Sequence, residues 1–215
     1  VIIVAGCGVH TETGEPARHN GIHRFFLAPN SHVKYVEKHI GTGKGFGIRT
    51  IDPVTEVFLE ENAVLEMDTA QIGGVDRTTR KTKATVAAGG KLLIRARILT
   101  EKEQTADTEF EVELNGEDSS ADIVSRSVAR DASRQSYVST IVGNAPCSGH
   151  SECDAIIDGT AVVDAAPKLW AHNADAALIH EAAIGKIAGE QILKLRTLGL
   201  TEEEAEKKII EGFLS

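Results

Sequence analysis

Aromatic residues are scarce in this chain of 215 residues: six Phe, two Tyr and one Trp make up 4%. A large irregular core filled by rings is excluded, so Val, Ile, Leu and Ala must build a regularly stacked interior. The scarcity also argues against a polysaccharide-acting enzyme using surface carboxylates, because the aromatic platform common at sugar sites is hard to supply. Cysteine is nearly as rare. Cys7, Cys147 and Cys153 are an odd number, too few for a disulfide framework, and they point to a reducing, cytoplasmic setting. No Lys/Arg cluster stands out against a formal charge of −9, which disfavours nucleic acid as a partner. Long apolar runs are missing too. Val1 to Ala5 is far too short to span a bilayer and lacks the basic leader of a signal peptide, so no membrane partner is expected. The chain opens on Val and not Met, which leaves room for an earlier segment. What remains is 41% hydrophobic, the composition of a folded globular protein, and long enough for one sizeable core.

The middle of the chain reads as short strands between Gly/Asn turns. Glu109 to Leu114 alternates strictly, with Phe110, Val112 and Leu114 facing inward and three Glu facing water. Ile94, Ala96 and Ile98 share one face of the next candidate, with Arg95 and Arg97 on the other. Residues 55–59, 63–67, 121–128, 136–142 and 153–157 are further strand candidates, and no helix pattern interrupts them.

Asn62, Gly89, Gly116 and Gly143 are spaced 27 residues apart, each at a turn. Gly and Asn favour positions that need a positive φ. A period of this length marks a solenoid, and with strands as its unit the physical candidate is a parallel β-helix. The end of the chain changes character. Ile184, Ile187, Ala188, Ile192, Leu195 and Leu198 fall on one helical face. Gly199 is a helix stop, and Thr201 with Glu204 forms a capping box that opens a second helix with Ala205, Ile209 and Phe213 inward. Residues 1–44 hold five of the eight histidines and receive no fold assignment.

Cys153, His180 and Glu181 are three chemically different metal ligands just before the terminal helices. Cys153 and His180 are also 27 residues apart, so a constant coil length would stack them on adjacent coils, with strands about 4.8 Å apart. Glu181 would alternate to the opposite face of a regular strand. Asp158-Gly159 is an extra turn signal that disturbs the count. A rival set lies in Cys147-Ser148-Gly149-His150-Ser151-Glu152-Cys153, whose C-x2-H-x2-C spacing could place Cys147, His150 and Cys153 on zinc. Without further information, Cys153 as a small core residue is also a fair reading. Gly6-Cys7-Gly8 lacks the third glycine of a dinucleotide loop, and Gly41 to Gly45 lacks Walker spacing. The latter reads as a flexible connection into the β region.

The order Cys153-Asp154, a β segment, His180-Glu181-Ala182, a Gly185-Lys186-Ile187 helix and then Gly199-Leu200-Thr201-Glu202-Glu203-Glu204-Ala205 closely resembles the carboxyl-terminal part of the SufB/SufD family of iron–sulfur cluster assembly proteins. The likeness is clear over about residues 45–215. It implies a right-handed parallel β-helix over 45–180 and a carboxyl-terminal α-helical segment over 181–215. It also implies a scaffold and not an enzyme, building a transient iron–sulfur cluster on Cys153, Glu181 and His180. The implied partners are a SufC-like ABC ATPase docking on residues 182–215, and a second SufB/SufD-like subunit, which a copy of this chain could supply. One thiolate with nitrogen and oxygen partners holds iron more weakly than four thiolates, which suits a scaffold that releases its product. Larger members carry an internal cysteine thought to receive sulfur. Residues 8–146 contain none, so either Cys7 takes that part or sulfide is used directly.

Overall fold

The computed structural model describes residues 1–215. In chain order the strands are β1 (Ile2–His10), β2 (Ala17–His19), β3 (Ile22–Leu27), β4 (His32–Thr42), β5 (Arg49–Ile51), β6 (Val54–Leu59), β7 (Val64–Ile72) and β8 (Arg77–Val86). They continue as β9 (Lys91–Thr100), β10 (Thr105–Leu114), β11 (Ser119–Ala129), β12 (Arg134–Gly143), β13 (Cys147–Ile157), β14 (Val162–Ala171) and β15 (Ala176–Gly185). Two helices follow, α1 (Gly189–Thr197) and α2 (Glu202–Phe213). β1, β4, β7, β9, β11, β13 and β15 stack in that order into one sheet. β2, β5, β8, β10, β12 and β14 form the second, with β3 and β6 alongside. The pairing is parallel throughout, and the chain winds as a β-helix of about six turns.

Alternation explains why these segments are strands. Leu92, Ile94, Ala96 and Ile98 point into the coil from β9, while Arg95 points outward. Phe110, Val112 and Leu114 do the same from β10. The outward charges form cross-strand ladders such as Lys83–Glu111, 2.9 Å apart. Each exposed pair adds little, so stability comes from the interior, where one cluster of 21 buried residues runs through both sheets.

Positive-φ residues stack from coil to coil, but not at the even spacing expected. Asn30, Asn62, Gly89 and Asp118 form one stack, and Lys102, Asp131 and Gly159 another. Only the step from Asn62 to Gly89 is 27 residues. Asp118 occupies the next place, and Gly143 ends β12. Ile2 pairs with Lys34, Val64 with Lys91, Lys91 with Ser120, and Cys147 with Ala176. Strand register must be kept for the ladder, whereas turns bulge outward and absorb extra residues cheaply.

The β-helix begins at Ile2, not at residue 45, because β1 to β4 join the two sheets. The glycine-rich stretch before β5 is an ordered layer and not a flexible connection. Gly45 and Gly47 donate backbone hydrogen bonds to the Thr11 and Thr13 carbonyls at 3.0 and 3.1 Å. Side chains at Gly43, Gly45 and Gly47 would collide with the backbone of Thr11, Thr13 and Glu15, so alternate glycines are required.

At the other end β15 runs to Gly185, so Ile184 lies in a strand and not in a helix. Pairing with β13 as far as Ile156–Gly185 overrides its helical spacing. α1 is correspondingly short and buries no residue. The capping box forms as expected: Thr201 Oγ1 accepts from the Glu204 N–H, and Glu204 accepts from the Thr201 N–H. Gly199, at φ +95°, ends the preceding turn. α2 packs Ile210, Phe213 and Leu214 against Leu99, Val128 and Ile156. The helices therefore lie along the side of the coil. Strands β14 and β15 are left uncovered, with Leu169, Trp170 and Ile179 exposed. No helix is long and apolar enough to cross a membrane.

Candidate functional site

Strands β13 and β15 carry all the residues singled out near the carboxyl end. β13 turns Cys147, Gly149, Ser151 and Cys153 inward, and His150, Glu152 and Asp154 outward. On β15, His180 follows the inward set and Glu181 the outward one. Register pairs Ser151 with His180, Glu152 with Glu181 and Cys153 with Ala182. The coil between these strands is 29 residues long, so Cys153 and His180 share the interior face but are offset by one inward position. Glu181 lies on the other side of the sheet from Cys153. The three groups do not converge within one subunit.

Cys153 is 1% exposed. Burial, aided by the Asp154 charge, pushes its thiol up to about 11, so it is protonated at neutral pH and unready to ligate or attack. The interior around it is not pure hydrocarbon. Ser151 Oγ lies 2.7 Å from Ser139 Oγ and 3.0 Å from the Tyr137 hydroxyl. His180 Nδ1 is buried with no hydrogen-bond partner. A half-buried imidazole with an unused nitrogen, opposite the Ser151 hydroxyl, adds to a polar seam inside the last coils.

The zinc set does not assemble. Cys147 and Cys153 face the interior while His150 faces outward, and six residues of extended strand separate the two thiols by roughly 20 Å. A zinc turn needs a tight loop, and this segment pairs along its whole length with β11.

On the outer face, ligand atoms of His150, Glu152 and Glu181 all lie within 4.8 Å of one another. His150 Nδ1 is 2.8 Å from Asp122 Oδ1, and Arg95 donates to Asp122 Oδ2 at 2.6 Å. Burial raises the Asp122 carboxyl, but hydrogen bonds from His150 and Arg95 outweigh it and hold the group below the usual carboxylate range. Burial and the neighbouring Asp154 carboxyl raise Glu152.

A second polar cluster, invisible to motif reading, sits inside the first coils. Glu37, on β4, accepts from the Tyr35 hydroxyl at 2.9 Å and from Arg80, on β8, at 3.1 Å. Arg80 also donates to His39 Nδ1 at 2.8 Å, which fixes His39 as neutral with its proton on Nε2. Burial lowers His39 in the same sense. Burial alone would raise Glu37, but His39, Arg80 and Tyr35 together hold it at about 2. Cys7, His23 and Glu37 bring ligand atoms within 4.8 Å of one another here, and burial followed by the Glu37 charge raises the Cys7 thiol. The signal in the sequence was Tyr35, Glu37 and His39 at alternate positions of a strand. Its partner Arg80 is 43 residues away on the other sheet.

A parallel β-helix with a chemically mixed last coil and two trailing helices defines a class of β-solenoid protein. The family model described as SUF system FeS cluster assembly, SufBD core domain, matches residues 3–213, and the chain belongs to that family. It is 31% identical over 204 residues to an iron–sulfur cluster assembly SufBD family protein of Pyrococcus horikoshii, covering 91% of this chain and 60% of the relative. It is 30% identical over 216 residues to one of Archaeoglobus fulgidus, covering 99% and 56%. It is 28% identical over 220 residues to one of Methanothermobacter thermautotrophicus, covering 99% and 52%. The chain thus spans little more than half the length of these curated relatives.

Proposed function

We propose that this chain is a scaffold component of a SUF-type iron–sulfur cluster assembly complex in the cytoplasm. A transient cluster is built at a subunit interface on Cys153, Glu181 and His180. A second SufB/SufD-like subunit, such as a copy of this chain, contributes the remaining ligands. A SufC-like ABC ATPase on residues 182–215 supplies the work. In this reading the chain has no nucleotide site of its own.

The observation that carries the reading is the position of β15 in a chain of this family. It is the last strand of its sheet, bears His180 and Glu181, and has unpaired backbone groups along its far edge. A partner strand laid there meets both side chains. Cys153 lies one strand behind, sealed and protonated. It must be uncovered before it binds iron. α1 starts four residues after β15 ends, so force applied to the helices passes directly to the strand that covers the thiol.

The test is anaerobic reconstitution with ferrous iron and sulfide in the presence of the ATPase partner and ATP, which the sealed Cys153 requires. Cys153→Ser and Glu181→Ala are expected to lose most of the cluster absorption and His180→Ala a part of it. Unchanged absorption in the first two variants overturns the site.

A further inference from the structure

We infer that His150, Glu152 and Glu181 form a thiolate-free site for a single ferrous ion on the outer face of the β13–β15 sheet. The choice of iron as the metal rests on the assembly function proposed above; the site itself rests on geometry.

The register makes the site. Glu152 and Glu181 are direct neighbours on parallel strands, and His150 stands one outward position before Glu152 on the same strand. Two carboxylates and an imidazole within 4.8 Å of one another are a nitrogen–oxygen donor set suited to divalent first-row metals, ferrous iron among them. Such a set leaves further coordination positions open to water or sulfide.

The imidazole is held for this task. The Asp122 carboxylate can only accept, so His150 donates from Nδ1 and presents the lone pair of Nε2. Asp122 is itself fixed by Arg95. A carboxylate behind a histidine is the arrangement that orients and strengthens metal-ligating imidazoles. The charge balance agrees. Arg95 is committed to Asp122, and Arg126, opposite Asp154, is the near cation on β11 for the remaining carboxylates. A divalent ion relieves the repulsion between Glu152 and Glu181. Cys153 follows Glu152 in the chain but faces the coil interior, so this ion is bound without the thiol.

The test is anaerobic titration of the purified chain with ferrous iron by calorimetry, with cobalt(II) absorption as a second readout. One equivalent is expected to bind. His150→Ala and Glu152→Gln should each weaken binding at least tenfold, and the positioning change Asp122→Asn by severalfold. Glu109→Gln, an exposed carboxylate of the opposite sheet, should bind as the unaltered chain does. Circular dichroism melts establish that the variants fold. Absence of saturable binding overturns the site, as does binding that ignores His150 and Glu152. Sulfur-to-cobalt charge-transfer absorption in the near ultraviolet overturns its thiolate-free character. The two readings fail separately: this one by the titration, the cluster site by reconstitution with sulfide.

Discussion

Arg80 and Glu37 are an ion pair sealed within the coil, 3.1 Å apart, with side chains 5% and 0% exposed. Each comes from a different sheet, so the pair ties the two walls together across the interior. Removing one partner strands the other charge in a site sealed from solvent. Arg80→Ala is therefore expected to cost about 3–5 kcal/mol, measured by urea unfolding. Arg80→Met with Glu37→Gln together should cost less than the sum of the single changes, because only the combined change leaves no buried charge.

The same pair sets an acid limit. Glu37 is held at about 2, below its ordinary 4.5. A carboxyl depressed by folding contributes stability that is complete above the unfolded value and lost as pH falls through the folded one. Stability of the unaltered chain should decline between pH 4.5 and about 2. Glu37→Gln does not titrate, so its curve should be flatter over that window. Equal slopes in the two proteins would remove Glu37 as the cause.

Thiol reactivity separates the three cysteines. Cys7 is partly exposed, Cys147 is 7% exposed and Cys153 1%. Burial raises all three thiols, with Cys153 pushed up to about 11. Alkylation of the native chain at pH 8 should label Cys7 first and Cys153 last, with all three reacting in denaturant. If the ATPase partner uncovers the cluster site, ATP with that partner should accelerate labelling of Cys153 without accelerating Cys147. Labelling that ignores ATP counts against force transmission through β15.

Much of this fold was legible because its rule is local. Phe110, Val112 and Leu114 are interior for the reason their sequence shows, strict alternation with glutamates. Coil length was not legible. A turn can gain two residues without cost to the ladder, so the step from Asn62 to Gly89 did not predict the step to Asp118. That small slip governs the site. It moved the expected neighbour of His180 from Cys153 to Ser151, and it hid Glu152 beside Glu181. The interior Glu37 cluster was hidden for another reason: its members meet through stacking of the two sheets, which no spacing within one strand reveals.

Close backbone approach makes a sharper stability test. Gly45 lies against the Thr13 backbone, where a methyl group has no space, and its neighbour across the contact is main chain that cannot rotate away. Gly45→Ala is expected to destabilise by about 1–3 kcal/mol. Gly6, with open space around its Cβ position, should accept alanine within about 0.5 kcal/mol. Thermal melts of the two variants compare them directly.

The proposed docking of an ATPase can be tested apart from stability because α1 buries none of its residues. Leu193 is 61% exposed and Leu198, at its carboxyl end, 75%. Apolar side chains this exposed contribute little to the fold of the isolated chain, so Leu193→Glu and Leu198→Glu should leave its melting temperature within a degree or two. If the SufC-like partner covers this helix, each charge must be buried against it or left to repel it, and affinity should fall at least tenfold by calorimetry. Thr201→Ala is the contrasting change. It removes the cap that satisfies the Glu204 N–H and is expected to cost about 1 kcal/mol in α2. Its effect on docking should follow the fraying of α2 seen by hydrogen exchange. Normal affinity in both leucine variants would overturn docking on this helix.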